Sequence, residues 1–268
     1  TAEGSGLLQV ASFHPSGFVR AEAVRLLAAE ELAVALPCLL VRLNDWVPAV
    51  QQAAEAAVAA RLGLEAAPAL LQSLALIDQL PAYRRRNLSV LHGRLRAVLR
   101  DTASRPLLWR ACATESDVHQ RRALYRLLAE ALLAESDGTE LQRLIQMALA
   151  SSDLWLRVWA VRLGRVHLFG EPLRRLLGQA RGDRERPVRR EALLGFLDSH
   201  PELEAALCDP CVSLRELVRH ALRKKANVDF AAYYRQVLAT GPLARRRVAL
   251  AGLGETGTRA DAEVLLAY

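Results

Sequence analysis

Arginine carries most of the chemistry this chain can offer. An apolar residue, an arginine, two variable residues and a small or apolar residue recur as Val19-Arg20…Ala23, Leu156-Arg157…Ala160, Val188-Arg189…Ala192 and Leu214-Arg215…Val218. Further arginines stand one or five residues after such anchors, positions four apart that share one face of a helix. They are Arg25, Arg85, Arg122, Arg126, Arg162, Arg190 and Arg246, with His220 at the same offset. Guanidinium groups gathered on one face attract carboxylates and phosphates, so the chemistry they point to is binding. An ordinary solvated face is the competing reading.

Trp155 and Trp159 lie one helical turn apart around Arg157, with Asp153 just ahead of them. Exposed tryptophans beside arginine suit a protein anchor or a stacking platform for a base, and packing against neighbouring helices is the plainer alternative. Cys208-Asp209-Pro210-Cys211 is a lone Cys-x-x-Cys. It lacks the second ligand pair of a zinc site, His200 and His220 being the nearest candidates, and it lacks the βαβ setting of a redox motif. Cys38 and Cys112 read as small core residues. His14, His92, His119 and His167 keep no ligand spacing, and a nucleophile elbow, a phosphate loop and a dinucleotide fingerprint are missing. The sequence therefore calls for no catalytic residue, no metal and no cofactor.

The elements that must hold these residues follow from a repeat. Counting looser copies, the anchors fall at positions 20, 51, 84, 121, 157, 189, 215 and 245, in steps of 26 to 37 residues. Around an anchor, positions −1, +3, +6 and +7 are apolar or small, as in Val19, Ala23, Leu26 and Leu27 or Val188, Ala192, Gly195 and Phe196. That is the buried stripe of a helix. Between anchors lie second helical patterns at Leu32–Leu43, Glu65–Gln79, Glu140–Leu149, Leu173–Leu177 and Phe230–Leu238. Turn signals such as Asn44-Asp45, Gly182-Asp183, Asp209-Pro210 and Gly241-Pro242 separate the two. Strand-type alternation is absent, so the expected class is all-α, with about eight helical pairs.

An Asp in the turn followed by Val-Arg and Ala on the second helix resembles the HEAT-repeat motif, in the bacterial HEAT-like variety of phycobilin-lyase-type proteins. The best matches are Asp183…Val188-Arg189…Ala192 and Asp209…Leu214-Arg215…Val218, followed by Asp45…Val50-Gln51…Ala54. Leu253-Gly254-Glu255-Thr256-Gly257 is similar to the ending of such repeats. The resemblance covers nearly the whole chain, with the copy at Ala82–Leu99 departing most, since it lacks both the Asp and the Ala. It implies a right-handed α-α superhelix, a HEAT-like solenoid forming one repeat domain over 1–268. Ala260–Tyr268, with Val264, Leu265 and Leu266 apolar, reads as another first helix with no partner following, so the domain is expected to be part of a longer chain. The resemblance also implies that Asp183, Arg189, Asp209 and Arg215 form a structural ladder between neighbouring repeats. Asp183 with Arg189, Asp209 with Arg215 and Glu115 with Arg121 share a six-residue separation. The second helices of such a stack line its concave surface, which would place the arginine stripe there.

Composition narrows the function classes. The chain has 268 residues, 52% hydrophobic and 24% charged, which supports a core and argues against disorder. No apolar run approaches the length of a membrane span, so the chain reads as soluble. Four scattered cysteines favour a reducing, cytoplasmic setting. The net charge of +7 is uneven: residues 81–126 carry 11 basic against 3 acidic side chains, whereas residues 1–80 are net acidic. The expected function is a non-catalytic scaffold that binds a protein partner through an acidic segment on the concave, arginine-lined face. Arg25, Arg85, Arg122, Arg126, Arg162, Arg190 and Arg246 would steer the partner, and Trp155 and Trp159 would anchor it. The alternative is a nucleic-acid-binding protein. HEAT-like folds include alkylpurine DNA glycosylases, which are similar in setting tryptophans, an Asp and an Arg on a basic concave face, and Asp153 would then be the residue to test.

Overall fold

Alanine- and leucine-rich stretches bounded by Asp, Gly and Pro turns fold into helices throughout. The computed structural model describes residues 2–197, 200–224 and 228–267, and no strand occurs among them. The chain divides into two compact units, Thr1–Leu141 and Gln142–Tyr268.

The first unit runs through α1 (Ala2–Ala11), α2 (Gly17–Leu27), α3 (Leu32–Arg42), α4 (Pro48–Ala59), α5 (Ala67–Gln72), α6 (Leu74–Ile77), α7 (Ser89–Arg100), α8 (Arg105–Thr114) and α9 (Val118–Ala134). Pro48 opens α4, where its missing N–H costs nothing. The Asp117 carboxylate caps α9 by accepting from the Gln120 N–H at 2.7 Å. Successive helices pack in pairs, α1 on α2, α3 on α4 and α8 on α9, while α2 also packs on α4. Leu27, Leu36, Leu39, Leu40, Leu43, Val50, Leu70, Leu74 and Ile77 are fully buried and form the bulk of this core.

α10 (Gly138–Leu149) begins in the first unit and ends in the second. The second unit continues with α11 (Leu154–His167), α12 (Gly170–Arg181), α13 (Arg186–Gly195), α14 (His200–Ala205), α15 (Val212–Arg223), α16 (Phe230–Thr240), α17 (Leu243–Thr256) and α18 (Ala262–Leu266). Asp153 and Asp229 cap α11 and α16 through the N–H groups of Trp155 and Ala232. Helices α12 and α13, α14 and α15, and α16 and α17 pack as pairs, and α11 packs on α13. A Cβ on Gly164 would run into the Leu176 side chain, so the glycine seven residues after Arg157 lets α12 approach α11 closely.

Three expectations shift. The copy around Arg84 is not helical where its anchor should stand. Leu80–Ala82 forms a single 3-10 turn, a loop follows, and α7 starts only at Ser89, whose N–H bonds the Asn87 side chain at 3.0 Å. Arg85 therefore sits in a loop instead of on the helical face assigned to it. The pattern at Glu65–Gln79 is likewise broken, with Ser73 separating α5 from α6. In α17 the buried residues are Ala249, Gly252 and Leu253, which makes Arg246 the anchor in place of Arg245. Of the final segment Ala260–Tyr268, a 3-10 turn at Arg259–Asp261 and α18 are formed, and Tyr268 lies outside the described residues.

Candidate partner-binding surface

The anchor arginines share one geometry. Each stands near the start of a second helix, where Arg20, Arg157, Arg189 and Arg215 are buried and Arg121 is half-buried. From there Nη1 reaches back to the carbonyls five and six residues earlier. Arg20 donates to Pro15 and His14 at 2.8 and 2.9 Å, Arg157 to Ser152 and Ser151 at 3.0 and 3.1 Å, and Arg189 to Arg184 and Asp183 at 2.9 and 3.0 Å. Arg121 and Arg215 make the six-residue bond alone, to Glu115 and Asp209, and Gln51 makes it with its amide, to the Asp45 carbonyl. The same groups that would be orphaned in the turn are thereby satisfied.

In Arg20, Arg157 and Arg189 the opposite side of the guanidinium takes an Asp of a later turn. Arg20 binds both Asp45 oxygens at 2.8 Å, Arg157 binds Asp183 at 2.9 and 3.4 Å, and Arg189 binds Asp209 at 2.8 and 3.0 Å. These bidentate pairs divide the six-residue partners expected from the sequence. Arg189 touches Asp183 only at its carbonyl, because the Asp183 carboxylate is held by Arg157. Arg215 likewise meets Asp209 at the carbonyl and turns its fork to Glu255, which also accepts from Arg219 at 2.7 Å. Each Asp then fixes the start of the next helix, with Asp45, Asp183 and Asp209 accepting from the N–H groups of Val47, Glu185 and Cys211. Burial pushes the Asp45 carboxyl up, but the hydrogen bonds from Arg20 and Val47, with the charges of Arg20 and Arg42, bring it below its ordinary value. Burial acts the same way on Glu255, and the bonds from Arg215 and Arg219 outweigh it.

The stripe arginines are less alike than their spacing. In the first unit Arg25 is exposed and paired with Glu22 on its own helix, at 2.9 Å. Arg85 donates to the Asn44 carbonyl at 3.1 Å from its loop. Arg122 and Arg126 stand one turn apart on α9, where the Arg126 Nε faces the Arg122 carbonyl at 3.4 Å. In the second unit Arg246 spends its Nε on the Gly241 carbonyl at 2.7 Å, an anchor's role.

Arg162 and Arg190 are brought together, around a residue the sequence reading missed. Glu191 is 4% exposed on α13 and accepts from Arg162 at 2.8 Å and Arg165 at 2.9 Å, both on α11. Arg190 lies 3.7 Å from the same carboxylate. Three guanidiniums share one carboxylate, which leaves two positive charges in excess on this ridge. The signal was an acidic residue between the buried positions Val188 and Ala192, a place a carboxylate occupies only with cations beside it. Trp155 and Trp159 stack with ring centroids 6.2 Å apart and planes 12° apart. Both are half-buried. They share one face of α11 with Arg162 and with Val166, which is 64% exposed.

A second aromatic and arginine cluster, in the first unit, also escaped the sequence reading. The Arg20 guanidinium lies 4.1 Å from the Trp46 ring and that of Arg42 4.7 Å from the Phe13 ring. Trp46 thus lies against the Arg20 of the buried Arg20–Asp45 pair, and Phe13 against Arg42, which bonds the same Asp45 at 3.0 Å. Cys208 and Cys211 are half-buried free thiols, with Cys208 Sγ 3.8 Å from Tyr233 Oη and Cys211 Sγ 3.3 Å from Ser213 Oγ. No group of three or more His, Cys, Asp or Glu side chains gathers as a metal site among the described residues, and the His200 side chain lies outside them. No helix among the described residues is long and apolar enough to cross a membrane. No protein family and no curated protein matches this chain.

Proposed function

We propose that the chain is a HEAT-like α-solenoid that works as a non-catalytic scaffold and binds an acidic segment of a protein partner. One observation carries this reading: Glu191 holds Arg162, Arg165 and Arg190 on a ridge beside the stacked Trp155 and Trp159. A cationic excess adjoining half-buried aromatic surface suits a segment that carries carboxylates next to an apolar anchor, with charge steering the encounter and the rings holding the complex. The repeated arginine-to-Asp link supports the solenoid part of the reading, since each link joins one helical pair to the turn of a later one. Four free thiols favour a reducing, cytoplasmic setting.

The test is a fluorescence titration with a synthetic peptide of glutamates flanking one leucine. The charge reversals Arg162→Glu and Arg190→Glu should together weaken binding at least about tenfold, the scale of one lost charge-assisted bond. Trp159→Ala should weaken it at high salt as well as at low salt. Undiminished binding by the double reversal contradicts the proposal.

A further inference from the structure

We infer that a groove on the second unit, between the turns after α12 and α14, is a binding site for a phosphate monoester carried on a protein segment. The groove encloses about 410 Å³ and is lined by Arg181, Asp183, Arg184, Arg189, Asp209 and Arg245. Its floor is electrically settled. Asp209 is committed to Arg189, Asp183 to Arg157, and Arg181 to Glu202. The remaining two cations are not settled. Arg184 has its nearest carboxylate, Glu185, at 3.7 Å, and its side chain is 76% exposed. Arg245 is exposed on the first turn of α17 with no carboxylate within ion-pair distance among the described residues. Loss of the anchor role to Arg246 is what frees Arg245 to line this groove.

Two exposed guanidiniums, Arg245 and an Arg184 held only loosely by Glu185 at 3.7 Å, match the charge of about −1.5 to −2 on a phosphate monoester, whereas one carboxylate supplies half of it. Arginine is the side chain whose planar fork suits such an oxyanion. The volume falls in the range of about 300–1,000 Å³ typical of ligand pockets, so the groove takes a phosphorylated side chain with its neighbours and not the ion alone. The occupant's identity as a protein segment rests on the scaffold reading above. The groove shares no lining residue with the α11–α13 ridge, and Trp159→Ala, which leaves Glu191 its three guanidiniums, should leave it intact.

The experiment is a fluorescence anisotropy titration of a short glycine- and serine-based peptide with one phosphoserine, beside its unphosphorylated twin. The phosphopeptide should bind at least about tenfold more tightly than the twin, be displaced by inorganic phosphate, and be retained by the Trp159→Ala protein. Arg184→Glu with Arg245→Glu should abolish the preference without altering the melting temperature, since both side chains are exposed. A readout on the unmutated protein accompanies it: Cys208 lines the same groove, so its alkylation should slow with the phosphopeptide and not with the twin. Equal binding of the two peptides, or a preference that survives the double reversal, overturns the inference. So does binding of inorganic phosphate or of an oligonucleotide without the phosphopeptide.

Discussion

Arg189 grips both carboxylate oxygens of Asp209, at 2.8 and 3.0 Å, while its remaining nitrogen closes on the carbonyls of Arg184 and Asp183. One buried side chain thus ties the turn before α13 to the turn before α15. Removing one partner leaves a buried charge without compensation, which costs about 3–5 kcal/mol. Asp209→Ala should therefore lower the stability of the second unit severely in urea unfolding. Arg184→Ala, on the same turn edge but exposed, should leave the midpoint where it is. Similar midpoints for the two variants would contradict the structural role given to the pair.

Glycine positions on the helices offer a paired comparison. A Cβ at Gly252 would collide with the fully buried Tyr234 ring, whereas one at Gly178 meets nothing within 4 Å. Gly252→Ala should destabilise by about 1–3 kcal/mol through overpacking. Gly178→Ala, exposed inside α12, should stabilise by about 0.5–1 kcal/mol. Thermal melting of the two variants measures both: a gain at Gly252 would contradict the α16–α17 packing, and a loss at Gly178 would contradict the open, exposed position on α12.

Acid should weaken the first unit through Asp45. Its carboxyl titrates near 3.8 in the unfolded chain and lower in the folded one, where Arg20 and the Val47 N–H bond it. The ionised form is thus favoured by folding. Its contribution is complete above the unfolded value and is lost as the pH falls through the folded value. Asp45→Asn should be less stable than the parent at neutral pH and should lose less on acidification. Parallel stability curves for the two proteins would contradict this.

The thiols should differ in reactivity. The Ser213 hydroxyl, then the N–H groups at the start of α15, hold the Cys211 thiol below its ordinary value, while burial pushes Cys112 up to about 12. Iodoacetamide under native conditions should label Cys211 well before Cys112, as read by mass spectrometry of the digested protein. Equal labelling rates would place Cys112 outside the core.

The all-α class was legible because alanine- and leucine-rich segments with a 3.6-residue period allow little else. The anchors Arg157 and Arg189 were legible for the same reason, each being the polar residue inside an apolar stripe. Their carboxylate partners were not, since Asp183 lies 26 residues beyond Arg157 and Asp209 lies 20 beyond Arg189. The nearer six-residue spacing is real but belongs to backbone carbonyls. Register failed where the sequence is degenerate: Arg245, Arg246 and Arg247 stand in a row, and only the burial of Ala249 and Gly252 picks Arg246. Arg85 was misplaced because Pro81 and Asn87 end one helix and start the next around it. Glu191 was overlooked because its three arginines come from two helices, α11 and α13, and only packing assembles them.

Parallel titrations test the α11–α13 ridge as a binding surface. Short single- and double-stranded DNA and the leucine-centred glutamate peptide are each titrated at two salt concentrations. The peptide should bind with a shallow salt dependence and lose that binding in the Arg162→Glu/Arg190→Glu protein, and DNA should bind weakly at either salt. Tight, steeply salt-dependent DNA binding that the same reversal removes, with no binding of the peptide, would contradict the scaffold reading. Loss of base-releasing activity in Asp153→Asn would then be the next observation to seek.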